Sequence, residues 1–211
     1  MPDLLHPIKQ QLLTALSHGL PGTLAHKKMA VPGRELLLPD HINAKKAAVL
    51  ILFYHRLDHI FIAFIKRKTH EADHHSGQIS FPGGKMEAND NYPVDTALRE
   101  AMEEIGTSDK IDILGHLSPL YIPVSNFYVA PVVGWHRDPF PIFNIQESEV
   151  DELLEIDLDL LLNPGAKTHK TIKVLSSVFL KEVPAYEIHG HIIWGATAMM
   201  LSELEWVLGQ S

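Results

Sequence analysis

The stretch GGKMEANDNYPVDTALREAMEEIG (residues 83–106) joins a glycine pair to a segment whose charge sits in an unusual place. At about 100° per residue, Val94, Ala97, Leu98, Ala101, Met102 and Ile105 form one apolar stripe. Pro93 suits a first helical turn and Gly106 suits the position just past a helix end. The spacing therefore predicts a helix from about Pro93 to Glu104. Glu100, Glu103 and Glu104 fall on the other side, three and four residues apart, where helix side chains meet. Like charges at those spacings cost on the order of 0.2–0.5 kcal/mol per pair. Glu103 and Glu104 also occupy the last turn, where the helix dipole disfavours anions. The only adjacent cation is Arg99, whereas an ordinary solvated face would carry Lys or Arg at this end. The cluster becomes favourable if it holds a hard cation, because Mg²⁺ and Mn²⁺ prefer oxygen ligands and water. The two glycines upstream let backbone carbonyls approach the same ion.

The stretch resembles the Nudix box, GX5EX7REUXEEXGU, in which U is a bulky apolar residue. Residues 99–106, REAMEEIG, match its second half. In the first half, Gly84 is followed by five residues and then by Asp90, where the pattern has Glu. Eight residues rather than seven separate Asp90 from Arg99. Ala101 and Thr107 are smaller than the pattern prefers. The resemblance implies an α/β fold, an α/β/α sandwich around a mixed sheet. It implies hydrolysis of nucleoside diphosphates linked to another moiety. Carried over by position, Glu100, Glu103 and Glu104 are metal ligands and the Gly84 carbonyl is another. Arg99 orients the glutamates by charge-assisted hydrogen bonds. The implied cofactor is Mg²⁺ or Mn²⁺, which neutralises a diphosphate and aims a water at phosphorus.

Upstream, AFIKRKTHEADHHSGQISFPGGK (63–85) resembles the coenzyme A pyrophosphatase branch of that family, whose signature has an Arg, a Gly and then FPGG. Arg67, Gly77 and residues 81–84 match, and the one-residue box expansion is familiar from the branch. YIPVSNFYVAPVVGW (121–135) and IIWGATAMML (192–201) look like its later segments. The resemblance implies substrate-binding roles at Lys66, Arg67, Gly77, Phe81 and Lys85. The branch's second arginine is missing; Glu71, Ala72, Asp73, His74 and His75 stand in its place. Neighbours on a strand alternate sides, so only one of Lys66, Arg67 and Lys68 is expected to face the cleft.

The rest of the chain reads as one domain over 1–211. Residues 1–46 form an N-terminal helix and loop extension, and the box lies at 84–107. Residues 3–18 carry Ile8, Leu12, Leu13 and Leu16 on one helical face, with Gly19 as the stop. A loop is expected over 19–46. AAVLILFY (47–54) and IFIAFI (60–65) read as buried strands joined by a turn. QISFPGG reads as a short strand broken at Pro82-Gly83-Gly84. Further strands are expected near 111–117, 127–135 and 172–180, with 147–162 helical or mixed. Residues 192–208 read as a strand end and a helix with Met200, Leu204, Val207 and Leu208 on one face. Trp194 reads as core or cleft wall.

The 211 residues are 45% hydrophobic, enough for a core, and include no cysteine. Disulfides and Cys-based zinc sites are thereby excluded, and a reducing compartment is the natural reading. The start lacks the pattern of a signal peptide, and the apolar run at 47–54 is far too short to span a bilayer. A cytoplasmic protein with no membrane partner is expected. The net charge of −8 disfavours nucleic acid as a partner. The 14 histidines include His70, His74 and His75, whose spacing matches no zinc pattern. Glu147 and Glu149 are general-base candidates, although a helix N-terminus would also favour acidic residues there.

The expected function is hydrolysis of coenzyme A or a derivative to 3′,5′-ADP and a phosphopantetheine. The alternatives are ADP-ribose or another nucleoside diphosphate compound as substrate, or a nucleotide-sensing module without turnover. The partner is a small-molecule nucleotide, and a homodimer is left open.

Overall fold

The computed structural model describes residues 6–34, 36–37, 39, 42–68, 77–107, 109–175 and 178–209. Strands β1 (Lys45–Arg56) and β2 (His59–Arg67) form an antiparallel hairpin, turning at Leu57 with a positive φ of 55°. β1 also runs parallel to β7 (Phe127–His136), with Lys45 opposite Phe127 and Phe53 opposite Trp135. β3 (Ile79–Ser80) and β8 (Val150–Asp157) pair with β2, β4 (Gly83–Lys85) with β1, and β5 (Ile111–His116) and β6 (Leu120–Ile122) with β7. The result is a mixed eight-stranded sheet.

Both faces of β1 are buried, which is why its sequence is a continuous apolar run. Ala48, Leu50, Leu52 and Tyr54 pack with Ala97, Ala101 and Ile105 of α3 (Val94–Ile105) on one face. Ala47, Ile51 and Phe53 join the opposite core with α5 (Gly195–Val207), including Met199, Met200, Leu201 and Leu204. α1 (Pro7–Leu16) contributes Leu12 to that second core. Each such aliphatic side chain removed from water contributes roughly 1.5–3 kcal/mol before entropy is charged against it. A three-stranded antiparallel sheet of β9 (Lys167–Leu175), β10 (Val178–Ile188) and β11 (His191–Trp194) lies beside the edge strand β3.

Several sequence expectations shift. The loop expected over 19–46 contains the short helix α2 (Thr23–His26), docked on α5. The short strand expected over QISFPGG is β3, which ends at Ser80; after Phe81 and Pro82 the chain opens a second strand, β4, in which Gly83 and Gly84 pair with Val49 and Ala48. A Cβ on Gly83 would lie 2.4 Å from the Ala48 carbonyl oxygen, so only glycine lets the two strands approach. Residues 147–162, expected as helical or mixed, are mixed. They form β8, in which Leu154 and Ile156 alternate inward, and then α4 (Leu158–Leu162). The strand expected over 172–180 is two antiparallel strands, β9 and β10. Met102, placed on the apolar stripe of α3, is 50% exposed.

Candidate active site

α3 ends as its sequence requires. Gly106 takes the left-handed conformation (φ 64°) and donates its N–H to the Met102 carbonyl. That geometry suits glycine because no Cβ clashes there. The last turns of α3 face β4, and the three glutamates divide between distinct environments.

Glu104 was expected on the outer side of α3, but it is buried, at 1% exposure. Its Oε2 accepts from the Gly83 N–H at 2.8 Å and its Oε1 from Arg67 Nη1 at 3.1 Å. Burial pushes its carboxyl up to about 7, against the pull of the Gly83 N–H and the Arg67 charge; Glu100 and Glu149 push it further. Glu100 is half-buried and is also raised, first by burial, with Arg99 opposing and Glu103 and Glu149 adding to it. Glu103 is the most exposed of the three carboxylates.

Arg99 gathers this end of the helix. Its Nη1 donates to Glu100 Oε1 at 3.0 Å and to Glu103 Oε2 at 3.1 Å. Its Nη2 donates to the Lys85 carbonyl at 2.9 Å. The remaining contacts go to Asp90, from Nε at 3.3 Å and Nη2 at 3.1 Å. Asp90 also accepts from Thr96 Oγ1 and from the Glu87 N–H. The Arg99 hydrogen bonds lead the effects that hold its carboxyl at about 2, aided by Glu87 and Thr96.

Gly84 lies against Glu100: a Cβ there would fall 2.4 Å from Glu100 Oε2. The backbone of β4 and the carboxylates of α3 therefore share one small space. Three glutamate carboxylates on adjoining turns are oxygen donors of the kind Mg²⁺ and Mn²⁺ prefer, although their oxygens do not all lie within 4.8 Å of one another here. Burial and mutual repulsion raise two of those carboxylates, and a cation relieves both. The donor chemistry fits a divalent ion, with side-chain adjustment needed to bring all three carboxylates to it.

The other expected site residues separate. Lys66 and Arg67 point to opposite faces of β2. Arg67 reaches Glu104, whereas Lys66 pairs with Asp151 at 2.9 Å and lines a cavity against β11. Gly77, at a positive φ of 69°, lines the same cavity, as does Trp194. Lys85 is exposed, and it is its carbonyl that serves the site by accepting from Arg99. Phe81, expected to bind substrate, keeps its side chain in the core under α5, 1% exposed and stacked on Phe64 with ring centroids 4.7 Å apart. The apolar ring follows the inward side of the chain between β3 and β4. Glu149 precedes β8 rather than a helix, so helix-dipole favour does not explain it. It is exposed, and its charge acts on both Glu100 and Glu104. His70, His74 and His75 lie outside the described residues.

Among the described residues, the group of three carboxylates or imidazoles whose ligand atoms all lie within 4.8 Å of one another is not the three glutamates of α3 but His59, Asp157 and Asp159. It sits at the start of β2, eight residues from Arg67, or roughly 26 Å along the strand. A contact of His59 Nδ1 with Asp157 Oδ2 at 2.7 Å and the capping of α4 by Asp157 account for it.

Carboxylates on α3, a glycine strand at their side and an arginine binding both define a Nudix-type site. The NUDIX domain family matches residues 44–174, and the chain belongs to that family. It is 31% identical over 174 residues to "Nudix hydrolase 22, chloroplastic" of Arabidopsis thaliana, covering 80% of this chain and 57% of the relative. It is 38% identical over 173 residues to the "Uncharacterized Nudix hydrolase NudL" of Yersinia enterocolitica, covering 77% of this chain and 80% of that one. The chain thus spans less than two thirds of the plant relative's length. Among solved structures, a Nudix hydrolase from M. smegmatis, RenU, superposes with a TM-score of 0.51 at 15% identity, over 84% of this chain and 96% of that one. That likeness concerns the fold alone.

Proposed function

We propose that this chain hydrolyses the diphosphate bond of a nucleoside diphosphate derivative, with coenzyme A or a derivative as the favoured substrate. The observation that carries the reading is the retained set of Glu100, Glu103 and Glu104, tied by Arg99 and Arg67 beside Gly84. A module that only senses nucleotides has no need of three carboxylates kept together at this electrostatic cost.

Glu100, Glu103, Glu104 and the Gly84 carbonyl would hold Mg²⁺ or Mn²⁺. When bound, the ion neutralises the diphosphate and acidifies a water. Arg99 fixes the rotamers of Glu100 and Glu103, while Arg67 and the Gly83 N–H fix Glu104. Glu149 is the candidate base for the attacking water, being exposed and within charge range of Glu100 and Glu104. The water oxygen bonds to phosphorus, the bridging P–O bond breaks, and Glu149 takes the water's proton. From coenzyme A the products are 3′,5′-ADP and a phosphopantetheine.

The preference for coenzyme A rests on the resemblance of residues 63–85, 121–135 and 192–201 to the coenzyme A branch. A substrate panel at fixed Mg²⁺ tests it. Coenzyme A should be cleaved faster than ADP-ribose and dinucleotide polyphosphates. Equal or slower cleavage of coenzyme A would reject this preference. Product masses after hydrolysis in ¹⁸O-water identify the bond broken and the phosphorus attacked.

A further inference from the structure

A cavity of about 460 Å³ opens between the edge strand β3 and the three-stranded sheet. Lys66, Lys173 and His191 line it together with Trp194 and the backbone of Gly77. Among the described residues, no aspartate or glutamate lines it, in a chain whose net charge is −8. A recess whose described lining carries lysines and no carboxylate is a local reversal of this protein's overall charge. An anion gains there from short-range charge, whose field the low-dielectric walls focus. Lys66 shares its charge with Asp151 at 2.9 Å, so Lys173 supplies most of the charge and His191 an imidazole hydrogen-bonding group.

The position of the recess relates it to the carboxylate site. Its Gly77 and Gln78 bond the end of β2: the Gly77 N–H donates to the Arg67 carbonyl, and the Arg67 N–H to the Gln78 carbonyl. The Arg67 guanidinium is on Glu104. Ile79, also in the lining, is four residues from Gly83, whose N–H is on the same glutamate. Four extended residues cover at most about 14 Å. A nucleotide whose diphosphate sits at the glutamates therefore has the recess within reach around the sheet edge, with Trp194 offering an aromatic wall.

We infer that this recess is a subsite for a phosphate monoester that the substrate carries away from its diphosphate, held by Lys173 and His191. The inference rests on the proposed reading of the active site and names the feature that selects among its substrates. Only substrates bearing such a second phosphate would gain from it.

The test uses 3′,5′-ADP and 5′-AMP, which differ by one phosphate monoester and contain no anhydride to be cleaved. Calorimetric titration of the full chain with Mg²⁺ should show 3′,5′-ADP binding at least tenfold more tightly. The Lys173→Ala/His191→Ala double variant should lose that preference, and Lys173→Arg should retain it. Equal affinity for the two nucleotides in the wild type overturns the inference, as does an undiminished preference in the folded double variant. A parallel comparison of kcat/KM for coenzyme A and 3′-dephospho-coenzyme A separates the two proposals. If coenzyme A is not cleaved but the nucleotide preference and its loss are seen, the function falls and the subsite stands. If coenzyme A is cleaved while both nucleotides bind alike, the subsite falls alone.

Discussion

Arg99 and Asp90 face each other side-on, with Arg99 Nε and Nη2 donating to the two oxygens of Asp90 at 3.3 and 3.1 Å. The pair connects the loop after β4 to the helix that carries the glutamates. Two planar groups joined by two hydrogen bonds fix an orientation as well as a distance. Arg99 can then present Nη1 to Glu100 and Glu103 at once. The extra residue and the shorter carboxylate of the box are thereby reconciled: the expanded loop still delivers a carboxylate to Arg99.

Asp90→Ala should therefore lower kcat by roughly tenfold to a hundredfold, the range found when a group that orients metal ligands is lost. Steady-state kinetics at saturating Mg²⁺ checks this. The double variant Asp90→Ala/Arg99→Ala should be little worse than Arg99→Ala, because contacting residues are not additive. Additive losses would show that Asp90 does not act through Arg99.

Much of this arrangement was readable from residue order. The helix, its glycine stop and the crowded glutamates follow from a period of 3.6 and from charge that a solvated face would not carry. The inward turn of Glu104 was not readable, because periodicity assigns faces by polarity and a buried carboxylate violates that rule. What licenses it is Arg67 and the Gly83 N–H, remote in sequence and brought over by the sheet. Phe81 misled in the converse way: a motif position adjoining the site carries a core side chain. β8 was missed because its inward alternation is short and interrupted by acids. Lys173 and His191 gave no local signal, since only the pairing of β9, β10 and β11 brings them together.

Glu104→Gln should abolish most turnover, by at least about a hundredfold, because a ligand carboxylate is lost while shape is kept. The Gln side chain can still accept from the Gly83 N–H or from Arg67, so the fold should survive. Circular dichroism together with kinetics would distinguish the outcomes. A folded variant that retains activity would remove Glu104 from the ligand set.

Gly84→Ala is expected to separate activity from stability. The new Cβ would lie 2.4 Å from Glu100 Oε2, and Glu100 is held by Arg99, so the carboxylate must be displaced. A displacement near 1 Å at a reacting centre can cost about a hundredfold in rate. The same change at Gly83 meets backbone, Ala48 O at 2.4 Å and Val49 Cα at 2.6 Å. Gly83→Ala should thus lower the thermal midpoint far more than Gly84→Ala does. Thermal melts of both variants beside their kcat values test the contrast.

Away from the site, Glu203 of α5 is fully buried and accepts from His26 Nε2 at 3.0 Å, the Gly22 N–H at 3.0 Å and the Ser118 N–H at 2.9 Å. Burial alone would raise its carboxyl, but the hydrogen bonds from His26 and Ser118, with the His26 charge and the Gly22 N–H, hold it below the ordinary value. A carboxyl lowered on folding adds stability above its unfolded pKa, about 4.3 for glutamate. That stability is lost as pH falls towards the lowered folded value. Glu203→Ala, which strands His26 and two backbone N–H groups, should cost about 3–5 kcal/mol at pH 7. Urea denaturation of wild type and Glu203→Gln between pH 7 and pH 3 isolates the ionised contribution. The stability gap should be widest near pH 7 and should narrow through the carboxylate range. A gap that is constant with pH would show that Glu203 does not hold α2 to α5 as an anion.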